Sequence, residues 1–253
     1  MLNKTELLNR ISDKEDRILL SSVYDKLEKS YQKGYPIYSD FLDERQIALA
    51  KQLFSFYRDE LCFSGGVSNA ERQLCYLDFG YGELPVKIIG ISSSAGNKFG
   101  HRDVLGALMG LGIKRQKLGD IVVGDVSYFL VKEEIVSFVM ENLNTVGRYP
   151  VSLEILENTS LEKEQNFSYR STTVSSLRLD CLVSDIAKLS REKAKELILA
   201  GKVKVNHFET TQYNKQLSAG DLISISQKGR FVLEQMEGIT RKDRMKILIK
   251  KYE

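Results

Sequence analysis

The sequence predicts an α+β protein in three parts: a helical N-terminal part, a ferredoxin-like (split βαβ) middle domain and a small α/β module at the C-terminus. Three observations support this prediction. Apolar residues recur at helical spacing up to about residue 60, strand and helix patterns then follow in the order β-α-β-β-α-β, and after residue 176 two helical patterns precede two alternating strands. With 253 residues, 42% of them hydrophobic, the chain can bury a core in one or two domains.

The N-terminal part, residues 1–72, is predicted to be helical. Apolar residues recur at the spacing of a buried helix face: Leu7, Leu8, Ile11, Ile18, Leu19, Val23, Ile47, Leu49, Leu53, Phe54 and Tyr57. Tyr35-Pro36 interrupts the pattern, and Ser39 and Asp40 are candidate N-caps for the helix that follows. Gly65-Gly66 predicts the turn that ends this region.

The middle domain, residues 73–157, is predicted to alternate strands with helices. The β-rich segments are 73–79, 86–91, two strands within 121–131 around a Gly124-Asp125 turn, and 151–156. Helical patterns cover 102–111 and 133–143. This order is the split βαβ arrangement, which RNA-recognition motifs share, so the sequence predicts an RRM-like domain.

Residues 158–176 are polar, rich in Ser and Thr and without periodicity, which predicts a linker. The C-terminal module, residues 177–253, is predicted to contain helices over 177–186 and 191–199, the second capped by Ser190. Alternating strands follow at 202–206 and 222–226. A final helix, capped by Thr240 and burying Met245, Leu248 and Ile249, completes the prediction.

Charge is distributed unevenly along the chain. Residues 177–253 hold 16 Lys and Arg against 10 Asp and Glu, a net charge of +6. Residues 1–176 hold 21 against 24, a net charge of −3. This asymmetry favours a polyanion as the partner of the C-terminal module.

Few residues suit metal or covalent chemistry. Cys62, Cys75 and Cys181 are widely separated and are expected to fill the core, and the two histidines are His101 and His207. We therefore expect neither a metal nor a small-molecule cofactor, which lowers the odds of an enzyme. No stretch approaches the roughly 18 uninterrupted apolar residues of a membrane helix, so we expect a cytoplasmic protein with no membrane partner.

The C-terminal module resembles the alpha-L, or S-four, RNA-binding domain. The residues that carry the resemblance are Arg178-Leu179-Asp180-x-Leu182, Ser190-Arg191-x-x-Ala194-x-x-Leu197-Ile198-x-x-Gly201-x-Val203-x-Val205-Asn206 and Gly220-Asp221-x-Ile223. A helix N-terminus with flanking cations offers hydrogen-bond donors to phosphates, and a shallow basic face fits an A-form backbone. The candidate RNA-binding residues are Arg178, Ser190, Arg191, Lys195, Lys202, Lys204, Asn206, Lys228 and Arg230.

Two segments of the first 121 residues resemble the YlmH family of bacterial RNA-binding proteins. They are Gly65-Gly66-x-x-x-Ala70-Glu71-Arg72 and Gly100-His101-Arg102-Asp103-Val104-Leu105-Gly106-x-Leu108-Met109-x-Leu111-Gly112-Ile113, followed by Gly119-Asp120-Ile121. The resemblance implies an RRM-like middle domain and a ribosome-associated factor that handles stalled large subunits retaining peptidyl-tRNA. The expected partners are structured RNA (rRNA, tRNA) and the large ribosomal subunit.

The segment around His101-Arg102-Asp103 has two interpretations. Asp103 could simply cap the following helix. Alternatively, a second patch could touch RNA or ribosomal protein, formed by Lys98, His101, Arg102, Lys114, Arg115 and Lys117. Our leading hypothesis is a non-enzymatic RNA-binding protein. An RNA-modifying enzyme of pseudouridine-synthase type and a cell-division-linked protein-interaction factor remain as alternatives.

Overall fold

Two units make up the chain in the computed structural model, Met1–Lys163 and Glu164–Glu253. The structure describes residues 4–11, 13–93, 99–124, 126–157 and 166–253. No helix within these ranges is both long enough and apolar enough to span a membrane.

The first unit begins with helices, as the sequence predicts, and then forms a hairpin. Its elements are α1 (Lys4–Leu8), α2 (Lys14–Lys33), α3 (Glu44–Leu53), a 3-10 helix (Ser55–Glu60), β1 (Leu61–Ser64) and β2 (Leu74–Leu77). β2 falls in the segment predicted as the first strand of the middle domain, but it pairs with β1 in a separate two-stranded sheet.

The predicted caps of α3 are wrong. Asp43 is the N-cap, since its side chain accepts the Gln46 N–H while the Gln46 side chain accepts the Asp43 N–H. Ser39 instead accepts the Cys75 N–H, and Asp40 pairs with Lys117 at 2.8 Å. Both predicted caps therefore bind other parts of the unit.

The middle domain has the predicted ferredoxin-like order. Its elements are β3 (Val86–Ser93), α4 (His101–Gly110), β4 (Leu118–Val122), β5 (Tyr128–Lys132), α5 (Val136–Asn142), β6 (Thr145–Val146) and β7 (Tyr149–Leu156). The sheet runs β4-β5-β3-β7-β6, with every pair antiparallel. The four long strands thus follow the ferredoxin-like order, with the first strand central. Asp125 of the predicted turn lies outside the described residues.

Charged side chains join the β1–β2 loop and the segment before α3 to strand β4. The buried Asp120 carboxylate accepts the backbone N–H groups of Glu71 and Arg72, both at 2.9 Å. The Arg72 guanidinium donates to the carbonyls of Leu118 and Phe41 at 3.0 and 3.1 Å. The motifs Glu71-Arg72 and Gly119-Asp120 therefore have a structural role within this unit.

The second unit is one six-stranded antiparallel sheet with two helices. Its elements are β8 (Phe167–Val174), α6 (Leu179–Ala187), α7 (Arg191–Leu199), β9 (Val203–Val205), β10 (Phe208–Glu209), β11 (Leu222–Ile225), β12 (Gly229–Ile239) and β13 (Met245–Tyr252). The sheet order is β10-β9-β11-β12-β13-β8. Helix residues such as Leu182 and Ile198 share one core with strand residues such as Val203 and Ile247, so the helices pack on one face of the sheet.

Two predictions for this unit are wrong. The predicted linker contains β8, which pairs along its whole length with β13. The predicted final helix is β13, because Met245, Ile247 and Ile249 alternate toward the core and both strand edges are paired. Thr240 closes the β12–β13 hairpin instead of capping a helix, since its N–H donates to the Arg244 carbonyl at 2.8 Å and its Oγ1 accepts the Arg244 N–H at 3.1 Å.

Candidate nucleic-acid interface

A buried carboxylate orients two arginines in the second unit. Arg178 precedes α6 and donates from Nε and Nη2 to the two Asp180 oxygens, both at 3.1 Å. Arg191, the first residue of α7, donates from Nη2 to Asp180 Oδ2 at 2.8 Å. The Asp180 side chain is 0% exposed, whereas those of Arg178 and Arg191 are 33% and 48% exposed. This arginine cluster (Arg178, Asp180, Arg191) is rigidly held and still offers donors to solvent.

The electrostatics of the arginine cluster favour the charged forms of Asp180 and Arg191. Burial alone would raise the pKa of the Asp180 carboxyl, but hydrogen bonds from Arg191 and Arg178 outweigh burial, and the net pKa is lowered. The hydrogen bond to Asp180 raises the pKa of Arg191 further. The cluster therefore carries one net positive charge at neutral pH.

The start of α6 is closed to ligands, whereas the start of α7 is exposed. The N–H groups of Leu179 and Asp180 donate to the carbonyls of Lys215 and Tyr213, both at 2.9 Å, so α6 offers few free donors. At α7, the exposed Ser190 caps the helix by accepting the Lys193 N–H, as predicted. Of the two helices, α7 therefore has the accessible N-terminus.

Tyr213 connects Lys195 to the arginine cluster. The Lys195 Nζ lies 5.3 Å from the centre of the Tyr213 ring, and the Tyr213 carbonyl accepts the Asp180 N–H. Three of the predicted RNA-binding residues, Arg178, Arg191 and Lys195, are thereby brought together on the helical side of the unit.

A second group of predicted residues lies on the open face of the sheet. Lys204 and Arg230 are both directly opposite Ser224, on its two sides, so they share the face that the helices do not cover. Lys204 is 3.6 Å from Glu209, and the Arg230 guanidinium lies 4.8 Å from the centre of the Tyr252 ring. The predicted site is therefore split between two faces.

Three other predicted residues occupy turns or strand ends. Lys202, just before β9, and Lys228, between β11 and β12, are exposed. The Asn206 side chain is hydrogen-bonded within the unit: its Nδ2 donates to Asp221 at 2.7 Å, and its Oδ1 accepts the Leu222 N–H at 2.9 Å. The geometry thus gives Asn206 a structural role in the β9–β10 turn.

The proposed second patch is not assembled as one surface. His101 and Arg102 begin α4, whereas Lys114 follows its end, about 15 Å away along a ten-residue helix. Arg115 donates to the Leu118 and Gly119 carbonyls at 2.9 and 3.1 Å. Lys117 is paired with Asp40 and Glu134, at 2.8 and 2.6 Å. Lys98 lies outside the described residues.

Asp103 caps α4, which confirms the predicted cap, but His101 and Arg102 are the first two residues of the helix and do not lie on a loop. Its carboxylate accepts the Gly100 N–H at 2.7 Å, at the N-terminal end of the helix.

Asp180 belongs to the alpha-L motif in the sequence but was not predicted to be a site residue. A signal existed, because Asp180, Val183 and Ala187 occupy one stripe of α6 and all three are buried. An acid on an apolar stripe between two arginines indicates a buried ion pair.

Comparisons with known proteins match a family model in each of the two units. Residues 86–160 match the family model described as "Putative RNA-binding domain in YlmH", and residues 177–223 match the "S4 domain" model. The chain is 35% identical over 217 residues to "Ribosome-associated protein quality control protein P2" of Bacillus subtilis (strain 168), covering 83% of this chain and 84% of that protein. A solved structure, "Cell division protein ylmH from Streptococcus pneumoniae", is 26% identical, with a TM-score of 0.47, and covers 58% of this chain and 94% of that one.

A ferredoxin-like domain followed by an alpha-L module with oriented arginines defines an RNA-binding protein. Within that class, the chain belongs to the YlmH family.

Proposed function

We propose that this protein is a non-catalytic factor of ribosome-associated quality control that docks on large ribosomal subunits retaining peptidyl-tRNA. The observation that carries the proposal is the arginine cluster, in which a buried carboxylate fixes two partly exposed guanidinium groups. Planar guanidinium groups that are already held in place suit phosphate oxygens, because their side chains lose little conformational freedom on binding. The family relationship supports the ribosome as the source of the RNA.

The residues that we propose to contact phosphate are those on the two faces of the second unit. On the helical face they are Arg178, Ser190, Arg191 and Lys195; on or beside the open sheet face they are Lys202, Lys204 and Arg230. Lys228, in the β11–β12 turn, lines a pocket with the C-terminal end of α6. In the first unit, we propose that His101, Arg102 and Lys114 make secondary contacts. Two modest contacts on one chain can raise avidity by roughly 10²-fold when both engage.

The test is sedimentation of the purified full chain with ribosomal subunits separated at low magnesium. We expect it to travel with the large subunit more than with the small one, and to prefer large subunits carrying peptidyl-tRNA over subunits stripped by puromycin. Binding only to the small subunit, or to neither particle at low salt, would contradict the proposal.

Arg191→Gln and Arg241→Gln form a matched pair for the same experiment. Both remove one exposed arginine from the second unit, but Arg241, in the β12–β13 turn, is not one of the arginines that Asp180 holds. We expect Arg191→Gln to weaken association with the large subunit about tenfold, the loss of one charge-assisted contact, and Arg241→Gln to change it less than twofold. Equal effects would mean that only net charge matters.

A further inference from the structure

A polar pocket of about 240 Å³ extends the arginine cluster toward the C-terminal strands. Arg191 lines one part of it and Arg244, from the β12–β13 turn, lines another, with Ser175 and Ser184 also in the wall. Arg244 lies outside the segment 177–223 that matches the alpha-L module, so the position of Arg244 is a feature of the added strands.

Both guanidinium groups are held in place before any ligand arrives. Arg244 Nη2 donates to the Thr173 carbonyl at 2.6 Å, and its Nε donates to Thr173 Oγ1 at 3.3 Å. Arg191 is held by Asp180 at 2.8 Å. Each guanidinium has five N–H donors, so donors remain for a ligand on both.

The acidic residue in the wall does not cancel this charge. Asp185 accepts from Arg170 Nη2 at 2.5 Å and from Thr172 Oγ1 at 2.9 Å, so its carboxylate is already partnered. Across the pocket and its immediate supports, four arginines face two aspartates. The net charge is therefore about two positive, which favours a small anion.

We propose that this pocket binds one backbone phosphate of the RNA, and that Arg244 contacts that phosphate together with Arg191. This inference rests on the proposed function for the presence of RNA, but the assignment of Arg244 comes from the pocket alone. A phosphodiester has two free oxygens, which can accept hydrogen bonds from the two guanidinium groups. Arginine commonly recognises phosphate through such paired N–H donors. The β8, β12 and β13 strands would then serve binding as well as folding.

The alternative is that Arg244 only ties β13 to β8 through Thr173. That role would affect stability and leave RNA binding unchanged, so the two are separable by experiment.

The probe is deproteinised large-subunit ribosomal RNA, bound by the full chain between 50 and 200 mM KCl in a filter-binding assay. We expect Arg244→Gln to lower affinity about 5- to 10-fold and to reduce the slope of log K against log salt by about 0.7 to 0.9, the value for one lost phosphate contact. Arg241→Gln, three residues away in the same turn, should change affinity less than twofold. Equal effects of the two substitutions would overturn the inference.

A double variant tests whether both arginines contact the same phosphate. If both guanidinium groups bind one phosphate, the loss of either weakens the contact made by the other. The double variant Arg191→Gln with Arg244→Gln should therefore lose less affinity than the product of the two single losses. Multiplying losses would indicate separate phosphates and overturn the one-pocket assignment.

Stability and specificity controls complete the test. If Arg244→Gln lowers the melting temperature, Arg244→Lys separates the two roles. A salt slope like that of the wild type together with several-fold weaker binding would show that the paired N–H donors of the guanidinium are needed, which supports the inference. Wild-type affinity of Arg244→Lys would overturn it. Failure of the wild-type chain to bind this RNA would remove the proposed function itself, whereas a harmless Arg244→Gln beside a damaging Arg191→Gln would remove only this inference.

Discussion

The two units of this protein each contain a pair of arginines, and the two pairs are held in opposite ways. In the first unit, Arg72 and Arg115 donate to backbone carbonyls. Burial lowers the pKa of Arg72, and burial together with the Arg72 charge lowers the pKa of Arg115 to about 10. In the second unit, Arg178 and Arg191 donate to the Asp180 carboxylate, and Arg191 has a raised pKa.

The burial of the guanidinium therefore separates a structural arginine from one that is available to a ligand, because desolvation opposes the charge of Arg72 and Arg115. The acceptor alone does not decide, since the exposed Arg244 also donates to a backbone carbonyl. A buried carboxylate beneath the surface anchors one edge of the guanidinium and leaves the other edge in solvent. Charge in the sequence alone does not distinguish the two cases, as Arg115 of the predicted second patch shows.

The largest expected effect comes from separating the units. We expect residues 164–253 alone to fold and retain most nonspecific RNA affinity, and residues 1–163 to bind at least about tenfold more weakly, because the basic excess lies in the second unit. A filter-binding assay with ribosomal RNA measures both. Tighter RNA binding by residues 1–163 than by residues 164–253 would contradict the assignment of RNA binding to the second unit.

The start of the second fragment matters. A fragment of residues 177–253 lacks β8, which covers the edge of β13 and contributes Val174 to the core. We expect that fragment to lose its cooperative thermal transition, although it contains all residues matched to the alpha-L module.

Removing the carboxylate of the arginine cluster should cost the most stability of any single substitution considered. Asp180→Ala leaves two guanidinium groups without their shared acceptor. Breaking a buried ion pair costs about 3 to 5 kcal/mol, and because both arginines are partly exposed we expect about 2 to 3 kcal/mol from urea unfolding of the second unit. Glu192→Ala, an exposed acid in the next helix, should cost less than about 0.5 kcal/mol.

The same carboxylate should make stability depend on acid pH. Because the folded pKa of Asp180 is below its ordinary value of 3.8, its contribution is fully present above that value and is lost as pH falls through the lower folded pKa. The stability advantage of the wild type over Asp180→Asn should be constant above about pH 5 and shrink below pH 4. An advantage that grows toward acid pH would contradict the assigned ion pairs.

Arg72→Met tests whether a buried arginine that donates to backbone carbonyls serves folding and not RNA binding. It removes the donors to Leu118 and Phe41 while keeping an apolar stem, so we expect a loss of about 2 kcal/mol in the first unit. RNA affinity of the folded chain should stay within about twofold of wild type. Arg191→Met should do the reverse, weakening RNA binding more than it lowers the melting temperature. Similar profiles for the two variants would show that burial of the guanidinium does not determine the role.

Long periodic segments were predictable from the sequence, because one periodicity dominated each of them. The order of the ferredoxin-like domain and the Ser190 cap of α7 are confirmed. β13 was not predictable, since Met245-Lys-Ile-Leu-Ile249 satisfies both helical and alternating periods and only pairing with β8 and β12 decides between them. β8 is polar because it lies at a sheet edge with one face in solvent, so it resembled a linker.

The candidate site was predictable in its cations and not in their geometry. The basic excess pointed to the second unit, but the division of its residues between two faces follows from strand register, which one sequence does not specify. Asn206 was assigned to binding as part of the alpha-L motif, and Arg115 as one of the cations that bracket α4. Their acceptors and donors are distant in sequence or on the backbone, and only the fold reveals them.

The smallest expected effects come from backbone strain, and they differ between the units. Arg58 in the first unit has φ 52° and ψ −126°, a combination that only glycine adopts easily. Lys188 in the second unit ends α6 with φ 55° and ψ 51°, the milder left-handed conformation common at helix C-termini. Replacing either by glycine removes a side-chain clash and also adds freedom to the unfolded chain.

We expect Arg58→Gly to stabilise the first unit by about 1 kcal/mol, and Lys188→Gly to stabilise the second by about 0.5 kcal/mol, because the strain relieved is larger at Arg58 while the entropy term is the same. Thermal unfolding of the full chain should shift by roughly 2 to 4 °C or less. Arg58→Ala and Lys188→Ala remove the same charges but keep a Cβ, so they should give no gain. Equal gains from the alanine variants would assign the effect to charge, and a destabilising Arg58→Gly would show that this turn is not strained.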